Sequence, residues 1–277
     1  MPESPEVEAL ARFLGSEATG RQVDEVDVLE YRIVKTRAAP PATIAGRTIT
    51  GAARHGKHVE LILDEGSLVV SLGRHGWMRW YADGADPDSA AADEPPALAA
   101  FALAGGRTLA VTDAGTWVSL GLFVVATAAE VPAIAKLGPD PADPGFTRAD
   151  FDAALGRRRK QIKAILQEQE SLAGIGNAYS DEILHRARVS PLAHAAALDE
   201  AESDRLFDAT VSTVREAIAA RAGVPIDRLK AEKVASMRVH GRTGEACPVC
   251  GDTVRDLAFS STVAQYCPTC QNGGAPL

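Results

Sequence analysis

Residues two and three of this chain could do covalent chemistry. Once Met1 is removed, Pro2 presents a secondary amine one residue from the Glu3 carboxylate. A free terminal amine titrates at roughly 7.7 to 8.0, far below a lysine at about 10.4, so a useful fraction is unprotonated at neutral pH. Condensation of a secondary amine with an aldehyde-level carbon gives an iminium that carries its charge without a proton and is a strong electron sink. Glu3 is placed to donate and accept the protons. The same residues also read as a plain helix start, with Pro2 merely permitting removal of Met1. In that reading Ser4 is the N-cap, Pro5 the first helical residue and Glu6 an acid at the positive dipole end.

The second chemical signal lies at the other terminus. Cys247, Cys250, Cys267 and Cys270 are the four cysteines, spaced C-x2-C, sixteen residues, C-x2-C. This spacing predicts one structural zinc ion held by four thiolates in a closed tetrahedral site. Two disulfides are the competing reading, but they need an oxidising compartment, and the N-terminus shows no apolar signal segment with a basic flank. No apolar run approaches the roughly 20 residues that cross a bilayer, so a cytosolic chain without membrane association is expected.

The net charge of -8 argues against a uniformly basic surface. Acids concentrate in the Pro/Ala-rich stretch from Asp83 to Glu94, which reads as a solvated loop. Bases concentrate further along: Arg157, Arg158, Arg159, Lys160, Lys163, Arg186 and Arg188, and then Arg228, Lys230, Lys233, Arg238 and Arg242. These could form one phosphate-binding stripe, or simply the solvated face of a helix. The turn Gly174-Ile-Gly-Asn177 follows the first basic run directly. Its backbone N–H groups at a helix start could seat a phosphate, or it could be a helix–helix turn with Asn177 as N-cap.

The elements that must position these residues are legible in part. Val7, Leu10, Ala11 and Leu14 mark an amphipathic helix over residues 5–18. Runs at 22–28, 59–63, 68–72, 108–112 and 118–125 read as strands of an antiparallel sandwich. Residues 137–145 are too proline-rich for helix or central strand and read as a linker. Thr147-x-x-Asp150 is a capping box, and helical patterns follow at 147–155, 158–169, 177–187 and 199–221.

Several segments, in order along the whole chain, resemble the formamidopyrimidine-DNA glycosylase and endonuclease VIII family. They are Pro2-Glu3 with Pro5-Glu6-Val7-Glu8, Arg54-His-Gly-Lys57, Leu137-Gly-Pro-Asp-Pro141, Gly174-Ile-Gly-Asn177-Ala-Tyr179, Val239-His-Gly-Arg242 through Cys247, and the four-cysteine ribbon. The resemblance implies an α+β architecture. An N-terminal antiparallel β-sandwich flanked by helices would span residues 1–136, with a linker at 137–146, a helix-two-turn-helix domain at 147–236 and a zinc finger at 237–277. It implies a monomeric bifunctional glycosylase and abasic-site lyase that grips double-stranded DNA bearing a damaged base or abasic site. Pro2 would attack C1′ of a flipped nucleotide, Glu3 would shuttle protons, and Lys57 on a hairpin turn would pair with phosphate and assist as acid. Glu6 would orient the substrate; Lys160, Lys163, Asn177 and Arg242 would contact DNA.

Three departures from the family's pattern stand out. Thr262 occupies the place of the finger arginine, Arg74 that of a methionine wedge and Trp117 that of an inserted phenylalanine. Trp117 has two readings, a void-filling wedge or a strand residue packed in the sandwich. The stretch from Arg228 to Arg238 is short for a loop that caps oxidised guanine. These departures point to a divergent member with altered lesion preference. The rival reading is a DNA-binding protein that kept the scaffold and lost base excision.

Overall fold

A computed structural model of the chain describes residues 1–82, 94–156, 158–259 and 262–277. The acidic stretch expected as a loop lies, from Asp83 to Asp93, outside the described residues, as does Arg157. The chain divides into two compact units, the first comprising residues 1–2, 6–135 and 222–229, the second residues 3–5, 136–221 and 230–277.

The N-terminal helix α1 (Ser4–Glu17) buries Val7, Leu10 and Leu14 completely, as the three-four spacing requires. It starts at Ser4, one residue earlier than the sequence suggests, so Glu3 lies just ahead of it. Eight strands follow: β1 (Val23–Val28), β2 (Ile49–His55), β3 (His58–Leu63), β4 (Ser67–Ser71), β5 (Gly76–Tyr81), β6 (Ala97–Leu103), β7 (Arg107–Asp113) and β8 (Gly121–Val125). Among the described residues they form two antiparallel sheets, ordered β1-β6-β7-β5 and β2-β3-β4-β8. One apolar cluster joins them, with Phe101, Leu109, Val111 and Met78 from the first sheet, Val59, Leu61, Leu68 and Val70 from the second, and Leu10 and Leu14 from α1. The sandwich is therefore borne out. Residues 222–229 belong to this unit, held by Ile226 and Leu229 in the cluster and by the Trp77 indole N–H donating to the Ile226 carbonyl at 3.2 Å.

β2, β5 and β6 lie outside the runs read as strands from the sequence. β6, Ala-Leu-Ala-Ala-Phe-Ala-Leu, is built from good helix formers, yet its alternating burial is a strand's. The expected strand 118–125 begins only at Gly121, because the preceding residues are tied to Asp113. That carboxylate accepts from the N–H groups of Gly115 (2.9 Å), Ser119 (2.9 Å) and Leu120 (3.2 Å) and from the Ser119 hydroxyl. The turn so fixed carries Trp117, 82% exposed.

After the short helix α2 (Pro132–Ala135), the second unit contains α3 (Arg148–Leu155), α4 (Ile162–Gln167), α5 (Asn177–Ala187), α6 (Glu200–Ala220), α7 (Leu229–Ser236, from Lys230), β9 (Arg255–Phe259), β10 (Thr262–Tyr266) and α8 (Pro268–Asn272). The Thr147/Asp150 capping box opens α3, and an Asp199/Glu202 box opens α6. Phe151, Ile162, Leu166, Ile183 and Leu206 sit in one apolar cluster. The expected helix 158–169 is corrected. Gln161 is extended and pairs with His194, so only 162–167 is helical and Arg158–Lys160 precede the helix. No helix among the described residues is long and apolar enough to cross a membrane.

Burial pushes the Asp113 carboxyl up, but the N–H donors outweigh it and hold it below the ordinary 3.8. Stability from this group is thus present above that value and lost as pH falls through the lower folded one. Asp113→Asn should destabilise by about 1–3 kcal/mol in urea melts. It should also change acrylamide quenching of Trp117 at neutral pH in the way that acid does for the wild type. Unchanged quenching and stability would mean the turn holds its shape without this carboxylate.

Candidate active site and its supports

Glu3 is 1% exposed, and its carboxylate closes the N-terminus of α5. It accepts from the backbone N–H groups of Gly176, Ala178 (3.1 Å) and Tyr179 (3.4 Å). The first helical turn leaves N–H groups without intrahelical partners, and an acid there also meets the positive end of the helix dipole. The Gly-x-Gly sequence follows from this contact. Gly174 has φ +85°, and a Cβ at Gly176 would lie 2.7 Å from the Glu3 carboxyl carbon. The Ser4 N–H donates to the Gly174 carbonyl at 3.0 Å, fixing the chain on either side of Glu3. The Lys233 ammonium stands 3.3 Å from Glu3 Oε1, the oxygen that also accepts from Ala178.

Two expectations are thereby corrected. The N–H groups read as a phosphate seat already hold a carboxylate. Asn177 makes no side-chain cap; its amide donates to the Val263 carbonyl (3.1 Å) and accepts from Gln167 (3.0 Å). Sequence spacing could not reveal a cap whose donors lie 173, 175 and 176 residues away.

Lys163 is likewise not placed to contact DNA. It is fully buried, bonded to Asp181 (2.6 Å) and the Ser180 hydroxyl (2.8 Å), with the Phe259 ring 5.8 Å away. Burial pulls its ammonium pKa down, and Asp181 only partly offsets this. Arg242 stays inside the second unit too. Its guanidinium donates to the carbonyls of Val234, Ala235 and Met237, closing the C-terminal end of α7, and reaches Glu245. Lys160 shares Glu168 with Arg158, at 2.8 Å each. The hydrogen bond to Lys160, reinforced by Ser171 and Arg158, holds the Glu168 carboxyl down at about 2.

In the first unit, Lys57 follows Gly56 in the two-residue link between β2 and β3, where His55 pairs with His58 and Gly56 takes φ +55°. Arg54 secures this hairpin, donating to Glu8 of α1 (2.8 Å) and to the Gly56 carbonyl (3.2 Å). Glu6 is 1% exposed in the first turn of α1. Arg74 is exposed beside a backbone N–H bonded to Ser119, and the exposure of Trp117 removes the reading as a packed strand residue. Pro2 is buried.

The four cysteine sulfurs lie within 4.8 Å of one another, with Cys247–Cys270 at 3.9 Å and Cys250–Cys267 at 3.3 Å. Zinc–sulfur bonds of about 2.3 Å in a tetrahedron put sulfurs about 3.8 Å apart, so the set fits one structural zinc ion. His185 of α5, neutral because burial pulls it down to about 4, lies 3.2 Å from the Cys247 sulfur through Nε2. Thr262 opens β10, and its hydroxyl donates to the Phe259 carbonyl at 3.1 Å.

Sequence reasoning missed Asp181, Glu182, His185 and Lys233. Glu182 accepts from the backbone N–H groups of Arg238, Val239 and His240, and Asp181 bonds the His240 ring at 2.7 Å. Only their place in the helical pattern at 177–187 signalled the first three, and nothing beyond a run of bases signalled Lys233.

Lys163→Met should lower stability by about 3–5 kcal/mol in denaturant melts, because Asp181 is left buried with its ammonium partner gone. Lys163→Met with Asp181→Leu should recover most of that loss. A stability-neutral single variant would instead identify Lys163 as a surface contact.

The sequence matches the formamidopyrimidine-DNA glycosylase N-terminal domain over residues 1–117, the H2TH domain of the same enzymes over 137–226, and a zinc finger found in FPG and IleRS over 244–273. It is 34% identical to a formamidopyrimidine-DNA glycosylase of Mycolicibacterium gilvum, covering 98% of each chain. An uncharacterized formamidopyrimidine-DNA glycosylase-like protein of Mycobacterium tuberculosis is 45% identical over 149 residues, 54% of this chain and 93% of that one. Among solved structures, MutM (Fpg) of Thermus thermophilus aligns with TM-score 0.81 at 31% identity, covering 99% of this chain and 100% of that one. Lactococcus lactis Fpg, in complex with Fapy-dG-containing DNA, aligns with TM-score 0.84 at 26% identity, covering 98% and 100%. With its sandwich, its helical unit and its four-cysteine ribbon in this order, the chain belongs to the formamidopyrimidine-DNA glycosylase family.

Proposed function

We propose that the chain is a DNA repair glycosylase and abasic-site lyase that works on damaged duplex DNA through an N-terminal proline Schiff base. The observation that carries this reading is the fixed, buried carboxylate of Glu3 immediately after Pro2. The relatives support it: structures of Lactococcus lactis Fpg hold DNA with Fapy-dG, an abasic site or an oxidised pyrimidine.

After removal of Met1, the Pro2 nitrogen attacks C1′ of an everted nucleotide. The bond from C1′ to the base breaks, and the base leaves with its electron pair and a proton. The sugar ring opens, leaving an iminium between Pro2 and C1′. Loss of the C2′ proton to a base sends electrons into the iminium, and the bond from C3′ to the phosphate oxygen breaks. A second elimination releases the 5′ phosphate. Glu3 moves the protons, Lys57 pairs with phosphate beside the lesion, and the exposed Trp117 with Arg74 fills the space left by the everted nucleotide. We place the protein in the cytosol, acting as a monomer.

Borohydride reduction during incubation with an abasic-site duplex should leave a covalent adduct that Pro2→Gly abolishes. Absence of an adduct, with the N-terminus shown by intact mass to begin at Pro2, would overturn the lyase reading. It would favour instead a binding protein of the same scaffold, a reading to which the uncharged Thr262 lends weight.

Thr262→Arg tests the finger separately. Added charge at this hairpin should tighten DNA binding and steepen the salt dependence by about one phosphate contact. An unchanged slope would show that this hairpin lies away from the backbone of the bound duplex.

A further inference from the structure

Lys233 is a residue for which the expected chemistry had no use. It lies in α7, 12% exposed along its side chain, with its ammonium 3.3 Å from Glu3 Oε1 and 5.0 Å from the centre of the Tyr179 ring. Tyr179 is 2% exposed and carries the Arg221 guanidinium 5.8 Å from its ring. The ammonium is thus held by an aromatic face and a carboxylate, a geometry that fixes a long side chain well. Its helix is fixed as well. Arg242 satisfies the carbonyls of Val234, Ala235 and Met237, and Arg221 donates to the Ser236 hydroxyl at 2.9 Å.

The donors and cations around the Glu3 carboxylate all favour its ionised form. From α5 come three backbone N–H groups at a positive dipole end; from α7 comes Lys233; from α4 the buried Lys163 acts through space. The acids nearest this cluster are already committed, Asp181 to Lys163 and His240, and Glu182 to the 238–240 backbone. Glu6, on the helix that Glu3 precedes, is the buried acid of its first turn.

We propose that Lys233 is a positioning residue for Glu3: its ammonium keeps the Glu3 side-chain carboxyl ionised and aimed, so that each cycle begins with Glu3 as a proton acceptor. This rests on the lyase reading above and deepens it. At an open-chain abasic aldehyde, a Glu3 carboxylate takes the proton that Pro2 nitrogen loses as the bond from nitrogen to C1′ forms, and the carbonyl oxygen takes a proton from water, the hydroxide so formed being neutralised by the solvent buffer. Glu3 returns its proton to the resulting hydroxyl, which leaves as water and generates the iminium. The carboxylate is then regenerated, ready to accept the C2′ proton during elimination. An acceptor at rest suits preformed abasic sites, where no leaving base has to be protonated. Intact damaged nucleotides need a proton delivered to the departing base.

The test titrates the Glu3 side-chain carboxyl carbon by NMR in the DNA-free protein, assigned by its absence in Glu3→Gln. Lys233→Met should raise the Glu3 pKa by about one unit or more. Lys233→Arg should leave it near the wild-type value. In single-turnover cleavage of an abasic duplex, the acid limb of the pH profile should move up with it, giving a rate loss that grows from about twofold where the wild-type limb begins to about tenfold below its midpoint. Should Lys233→Met fail to fold, Lys233→Gln keeps a donor without charge and gives the same titration. An unmoved Glu3 pKa, or a rate lowered equally at every pH, overturns the proposal. Failure of the lyase reading is distinguishable, because a wild type that forms no adduct still gives a carboxyl titration that decides the role of Lys233.

Discussion

A buried carboxylate at the start of the chain, seated on the open end of a distant helix, is the interaction on which this architecture turns. Glu3 out of water would be destabilising by several kcal/mol if its lone pairs had no donors. The first turn of α5 has N–H groups with the converse need, and the two needs cancel. The arrangement demands a residue without a Cβ at position 176 and a chain start pinned by the Ser4 N–H on Gly174. It also makes the acid that follows Pro2 a structural member of the helical unit, so the position of this carboxylate and the stability of the helix share the same bonds.

The helix so capped organises much of the C-terminal part of its unit. Asn177, Asp181 and His185 recur at four-residue spacing and therefore share one face of α5. Along that face they meet Val263 of the finger hairpin, Lys163 with His240, and Cys247 of the metal ribbon. Glu182 binds three successive N–H groups of the strap entering the ribbon. A zinc ion closes a small ribbon, and α5 sets where that ribbon stands within its unit.

Charge is distributed differently from what a count of bases suggests. In a chain of net charge -8, Arg158 and Lys160 share Glu168, Arg186 forms a two-pronged pair with Glu216, Lys163 is buried, and Arg242 serves helix carbonyls. Surface pairs of this kind add little stability, but they reduce the field that a polyanion meets. The positive charge of these residues is committed to shape, and the finger hairpin adds none at Thr262, where β10 opens.

What the sequence by itself determined were features set by local covalent spacing. C-x2-C repeats place four sulfurs around one ion, Val7, Leu10 and Leu14 make one buried stripe, Thr147 and Asp150 close a capping box, and Pro2 stands beside Glu3. Alanine-rich β6 was invisible, because its strand conformation comes from pairing with β1 and β7 and not from its own propensity. Tertiary structure alone decided whether a basic residue faces water or an acid, and which group occupies the N–H cluster at residue 176. Lys163 and Lys160 look alike in a string of letters, yet one is sealed against Asp181 and the other reaches the surface. Their difference arises from desolvation and from partners brought close by folding, and neither quantity exists until the chain has closed on itself.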